Sequence, residues 1–130
     1  MRNVSRILLP ACLLLVFAAQ FTACEKYVLP SVTIAPDTLR FAAAADSQAI
    51  VVTTNVITTL YPESNDFWVY AQPEWLDQSC TVFIHVFDNS STEPRTAVIP
   101  VKSEAILRHL VVIQEGAPAP EPEPEPEPEP

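Results

Sequence analysis

The sequence predicts an all-β fold, a seven-stranded sandwich, flanked by two segments outside it. Three observations predict it. Between Val32 and Glu115 lie seven short runs dense in β-branched and aromatic residues. Turn-forming clusters such as Ala35-Pro36-Asp37 and Asp88-Asn89-Ser90-Ser91-Thr92-Glu93-Pro94 separate several of them. No stretch sustains a helical period between caps. Seven runs over about 84 residues match the strand spacing of a β-sandwich.

The chain opens Met1-Arg2-Asn3-Val4-Ser5-Arg6, with two positive charges and no acid. Ile7–Phe21 is then apolar apart from Gln20. That run is shorter than the ~20 residues a membrane-spanning helix needs, and it has the charged start of a secretory signal. Residues 1–23 are therefore expected to be a cleaved signal peptide. The segment ends Phe21-Thr22-Ala23-Cys24, which resembles the lipobox of bacterial lipoproteins, with Phe21 in place of the usual Leu. The resemblance implies that Cys24 carries lipid and becomes the first mature residue. Acyl chains contribute ~0.8 kcal/mol per buried methylene, so several of them anchor a protein without a spanning helix. Residues 24–31 read as the tether behind that anchor.

The runs follow in order. Val32-Thr33-Ile34 stops at Pro36, and Thr38-Leu39-Arg40-Phe41 resumes after it. Ala49–Thr54 is rich in β-branched residues, and Phe67–Tyr70 is aromatic. Thr81–Phe87 is the longest run and is apolar on both alternations: Val82, Ile84 and Val86 share one face, Phe83, His85 and Phe87 the other. One set faces the core; the other is covered by a loop or exposed. Thr96–Val101 contains Pro100, which donates no ladder hydrogen bond and so places that strand at an edge or bulge. His109–Gln114 completes the set. The single glycine, Gly116, implies that tight turns lean on Asn and Asp for positive φ. Residues 32–116 form the expected domain.

Residues 117–130 are low-complexity, ending in five Glu-Pro units. Alternate prolines impose polyproline II, so the 13 residues from Pro118 reach about 40 Å at ~3.1 Å each. Such a tail has nothing apolar to bury and is expected to be disordered.

Removing Arg2 and Arg6 with the signal leaves 5 basic and 16 acidic residues, a net charge of −11. That charge excludes nucleic acid as a partner, because phosphate binding needs Lys and Arg patches. Of three cysteines, Cys12 departs with the signal and Cys24 takes lipid, so Cys80 is left without a disulfide partner. It reads as a small hydrophobe before a strand. No HxH, HExxH or CxxC spacing occurs for zinc. Asp77, Asp88 and Glu93 lack the spacing of a calcium loop. One glycine permits no phosphate loop or nucleophile elbow. The expectation is no enzyme, no metal and no cofactor.

Leu39-x-Phe41, Val51-Val52-Thr53-Thr54-Asn55, Trp68, Glu74-Trp75-Leu76, Asn89-Ser90-Ser91, Arg95–Val101 and Val111–Gly116 occur in an order that resembles a BACON domain. BACON domains are small immunoglobulin-like modules of Bacteroidota envelope proteins. The similarity covers about residues 36–116. Two departures stand out: a short Leu76–Ser79 link where the family has a glycine-rich loop, and a longer stretch between Asn55 and Trp68. The resemblance implies a seven-stranded immunoglobulin-like sandwich, an extracytoplasmic location, and a glycan-binding role inferred from the family's company with carbohydrate enzymes. Some members look like spacers. No set of functional residues comes with it.

Sugar binding uses flat aromatic faces with planar polar groups beside them. The candidates are Tyr61, Trp68, Tyr70 and Trp75, with Asn65, Asp66 and Gln72 near them; Trp68 and Tyr70 share a strand face, and any site is expected on the long segment from Val56 to Asp66 with the aromatic strand after it, not at the histidines. Loops held by a rigid scaffold concentrate binding residues. Trp68 and Trp75 also read as core, since sandwiches of this type bury a Trp on the third strand. Two functions follow. One is a non-catalytic, lipid-anchored binding module of the outer membrane, with carbohydrate as the first ligand class. The other is a structural spacer or accessory lipoprotein that binds another envelope protein.

Overall fold

A computed structural model describes residues 26–63, 65–126 and 128. The expected signal peptide and Cys24 lie outside the described residues. Nine strands form among the described residues: β1 (Val32–Ala35), β2 (Thr38–Phe41), β3 (Asp46–Thr54), β4 (Thr58–Leu60), β5 (Val69–Gln72), β6 (Trp75–Leu76), β7 (Cys80–Val86), β8 (Arg95–Lys102) and β9 (Leu107–Gln114). They make two sheets, one ordered β1-β3-β7-β5 and the other β2-β9-β8-β4-β6. The fold is an all-β sandwich.

All seven runs appear as strands, and two short strands, β4 and β6, join them. The segment Val56–Asp66 is thus no continuous loop. Thr58 and Leu60 alternate inward and are fully buried. The stretch pairs with β8 through Thr59↔Lys102 and Leu60↔Val101, and with β6 through Thr58↔Leu76. Within β6, alternation leaves only Leu76 for the core. Trp75 stands 51% exposed, against the expectation of a buried ring.

The first two runs divide between the sheets at Pro36. β1 pairs antiparallel with β3, whereas β2 pairs parallel with β9. A proline cannot continue a ladder, so the break in pairing falls where the N–H is missing. Pro100 is placed differently from expectation. β8 lies between β9 and β4 rather than at the sheet edge, but the β4 register ends at Val101, one residue short of Pro100. The missing donor therefore sits beyond the end of the short neighbour.

Inward residues of the two sheets meet in one core that includes Ile50, Val82 and Ile84 from one side and Ile99, Leu110 and Val112 from the other. Cys80 is half-buried against it, a free thiol. No described residue has positive φ, so Asn and Asp do not supply left-handed turns as expected. The β8–β9 hairpin shows why none is needed. Its connection, Ser103–Ile106, is four residues long, and loops of that length are built on turns with negative φ. The Ser103 N–H donates to the Ile106 carbonyl at 2.9 Å, and the Ile106 N–H donates to Ser103 Oγ at 3.0 Å.

The two ends of the sandwich differ in what leaves them. At one end the tether meets the β3–β4 turn: the Ser31 N–H donates to Asn55 Oδ1 at 2.7 Å, and Asn55 Nδ2 donates to the Leu29 carbonyl at 2.8 Å. At the other end the tail departs. There the Ala117 N–H donates to the Ser91 carbonyl at 2.7 Å, and residues 118–126 run on exposed and without secondary structure.

A candidate aromatic face on the four-stranded sheet

β7 fixes the chemistry of the outer face of its sheet. Val82, Ile84 and Val86 are buried, so Phe83 and His85 point outward, with Phe87 exposed just past the strand end. The neighbouring strands continue the face. Tyr70 of β5 and Ser47 of β3 are both the register partners of His85, one on either side. Directly opposed residues share a face, and their side chains approach within contact range.

Three rings result. Tyr70 stacks on His85 with centroids 4.7 Å apart and planes 15° from parallel. Phe87 leans against Tyr70 at 5.8 Å and 37°. On the far side of His85, the lane along β3 carries Ser47 and then Ala49 outward, both exposed and small, before Val51 continues the face toward the other end. The rings and this lane bound a shallow depression of about 340 Å³, with Asp46 and Ser47 on its polar rim. His85 Nε2 is buried and has no hydrogen-bond partner. Such an unmet group costs roughly 1–3 kcal/mol, and its persistence calls for an explanation.

Beside the depression sits a polar cluster that holds the distal end together. Gln114, fully buried, accepts from Arg95 Nε at 2.8 Å and donates from Nε2 to the Ala43 carbonyl at 3.0 Å and the Phe87 carbonyl at 2.9 Å. The Arg95 guanidinium also donates to the Phe87 and Asp88 carbonyls at 3.0 and 3.1 Å. It lies over the Trp68 ring at 4.4 Å, a cation–π contact. Desolvation by burial lowers its pKa from the ordinary arginine value. These bonds clamp the carbonyl of Phe87 from two sides and so hold the backbone that carries the third ring.

The sequence-derived candidates divide across this geometry. Tyr70 is at the centre of the aromatic face. Trp68 is half-buried, packs against the core and is covered by Arg95; β5 begins one residue after it, so the two rings do not share a strand face. Tyr61 is exposed but follows β4 of the other sheet. Asn65 is exposed and Asp66 half-buried, in the turn where the Asp66 N–H donates to the Glu63 carbonyl at 3.0 Å. None of these three lines the depression at Tyr70. His85 and Phe87 join the face without being among those candidates. The signal for them was present in the two-sided apolar pattern of Thr81–Phe87, which required one aromatic set to be covered or exposed.

No family profile matches the chain, and no curated protein is significantly similar. Solved structures do resemble it. One is a Bacteroides ovatus GH5 xyloglucanase in complex with a XXXG heptasaccharide, with a TM-score of 0.62 at 21% identity; the match covers 70% of this chain. The chain spans only 20% of that enzyme's chain. A Bacteroides thetaiotaomicron protein matches with a TM-score of 0.45 at 10% identity, covering 73% of this chain and 93% of its own. WR4, a C. elegans MSP family member, matches with a TM-score of 0.45 at 12% identity, covering 66% of this chain and 97% of its own. What the likeness to the xyloglucanase segment establishes is a shared β-sandwich architecture.

Proposed function

We propose that the chain is a non-catalytic binding module of the bacterial cell envelope, anchored through lipid on Cys24, that holds carbohydrate on the outer face of its four-stranded sheet. The observation that carries this reading is the exposed Tyr70–His85–Phe87 ring cluster beside the Asp46–Ser47 rim. A pyranose presents C–H groups on one face and hydroxyls at its edge. Rings that expose a face can take the first, and a carboxylate and a hydroxyl can take the second. The ordered motifs that resemble a BACON domain support the same reading.

The first probe is the XXXG heptasaccharide, followed by an array of envelope and plant glycans against the soluble Cys24→Ala protein. Tyr70→Ala and Phe87→Ala are each expected to lower glycan affinity at least tenfold while shifting stability little, because exposed rings contribute little to the core. Tyr61→Ala is expected to leave affinity unchanged. Loss of binding in Tyr61→Ala, with Tyr70→Ala unaffected, would move the site to the β4–β5 connection. No binding to any glycan would favour the second reading, a spacer for a protein partner. One feature favours that alternative specifically: Phe83, exposed next along β7, extends the face with apolar rather than polar surface.

Cys24→Ala is expected to abolish membrane attachment. Metabolic labelling with a fatty-acid probe checks it, and equal labelling of the variant would sink the lipid assignment.

A further inference from the structure

We propose that the tether end of the sandwich rests on the bilayer surface, its exposed apolar side chains seated in the headgroup region, so that the domain stands upright with the Glu-Pro arm leaving from the far end. This inference rests on lipidation at Cys24.

The apolar groups come from three separate segments that the fold gathers at one end. Tyr27, Val28 and Leu29 of the tether are 83%, 70% and 73% exposed. Ile57 in the β3–β4 turn is 58% exposed, and Leu107 at the start of β9 is 50% exposed. Tyr27, Ile57 and the Ser103–Ala105 turn line one open cleft. Leu107 is the register partner of Lys102, the last residue before that turn. No role within the sandwich accounts for five exposed apolar side chains at one end.

Chain length identifies the occupant. Tyr27 lies three residues after Cys24, and an extended chain reaches at most ~3.6 Å per residue, so the backbone of Tyr27 is within about 11 Å of the lipidated residue. The tether cannot peel away to lengthen this reach without breaking its bonds, because Asn55 holds both Ser31 and Leu29 to the β3–β4 turn. A lipid inserted at Cys24 therefore keeps this end within the thickness of a headgroup layer and its adjoining water. Tyrosine with aliphatic neighbours is the composition that partitions there.

The same end carries Asp77 and Glu104 on the walls of the cleft. Lys102 and Arg108 stand at the same end as these acids, so its charge is mixed, and seating depends on apolar burial rather than on attraction to negative headgroups. At the opposite end, the β5–β7 rings lie near Val69↔Val86, away from the bilayer, where a ligand meets no membrane. Eight residues of β8 at ~3.4 Å each hold the start of the tail roughly 27 Å from the tether end.

Hydroxyl-radical footprinting of the full lipoprotein in phosphatidylcholine nanodiscs, against the Cys24→Ala protein in solution, tests the arrangement. Oxidation at Tyr27, Ile57 and Leu107 should fall severalfold in nanodiscs, while Phe83 and Phe87 stay as reactive as in solution. Adding phosphatidylglycerol should give no further protection. If the chain travels with the nanodiscs but Ile57 and Leu107 are not protected, the seating is wrong and the lipid anchor stands. Protection of Phe83 and Phe87 instead would mean the sheet lies flat, which overturns the upright arrangement. A full chain that fails to travel with nanodiscs overturns the lipid assignment and this inference with it.

Discussion

Gln114→Ala should destabilise the domain by about 3 kcal/mol, a fall in midpoint of roughly 15 °C for a domain of this size. The size of the effect comes from what the carboxamide leaves behind. Its oxygen meets Arg95 Nε, and its nitrogen meets the Ala43 and Phe87 carbonyls, all inside a fully buried site. Alanine removes all three bonds and opens a cavity beside the groups they served. Each buried polar group left unmet costs roughly 1–3 kcal/mol, while a surface glutamine is close to neutral. Gln114→Met separates the two contributions: it restores the volume without the bonds, so it should recover less than half of the loss. Phe87 is also released on one side, so the methionine variant should weaken any ligand that uses that ring. Thermal and urea unfolding of both variants check this. A loss below about 1 kcal/mol for Gln114→Ala would show that water replaces the carboxamide without penalty.

Gly116→Ala should cost about 2–3 kcal/mol, a large effect for one methyl group at a half-buried position. The reason is not backbone conformation, since no described glycine has positive φ. A Cβ at residue 116 would fall on the Thr92 carbonyl group and crowd the Glu93 nitrogen. Both neighbours are main chain, so no rotamer change relieves the clash. The two segments must separate, and the bonds across them go with the movement. The Ala117 N–H donates to the Ser91 carbonyl, and Asn89 Nδ2 donates to both the Glu93 and the Glu115 carbonyls at 2.9 and 3.0 Å. Asn89→Ala breaks the same junction from the other side, so the double variant should lose clearly less than the two single losses combined. Additive losses would mean that the junction does not move as a unit.

These two residues show where sequence reading stops. Gln114 closes an apolar strand at a position that the period of Leu110 and Val112 turns inward, but nothing along the chain indicates which groups meet a buried carboxamide there or what Gly116 packs against. Gln114 bonds to Ala43, and Gly116 touches Thr92, at separations that only the packed sandwich brings together. Long-range polar satisfaction has no local pattern to reveal it. The same holds for the candidate site. Tyr70 was legible as an aromatic on an alternating strand, but its partner His85 became visible only when the β5–β7 register placed the two opposite each other.

What the sequence determined by itself was the set of β-forming runs, because the two-residue side-chain period is a local property that survives without knowing the partner strand. The exposed course of residues 118–126 was legible too, because alternating Glu and Pro offer little apolar surface and a ladder donor only at every second residue. The tertiary structure alone decided which sheet each strand joins, that Thr58–Leu60 is a strand rather than loop, and that Trp75 faces solvent while Leu76 is buried. Those outcomes depend on β4 reaching β8 and β6 across the chain, and a three-residue or two-residue strand is held by its neighbours rather than by its own propensity.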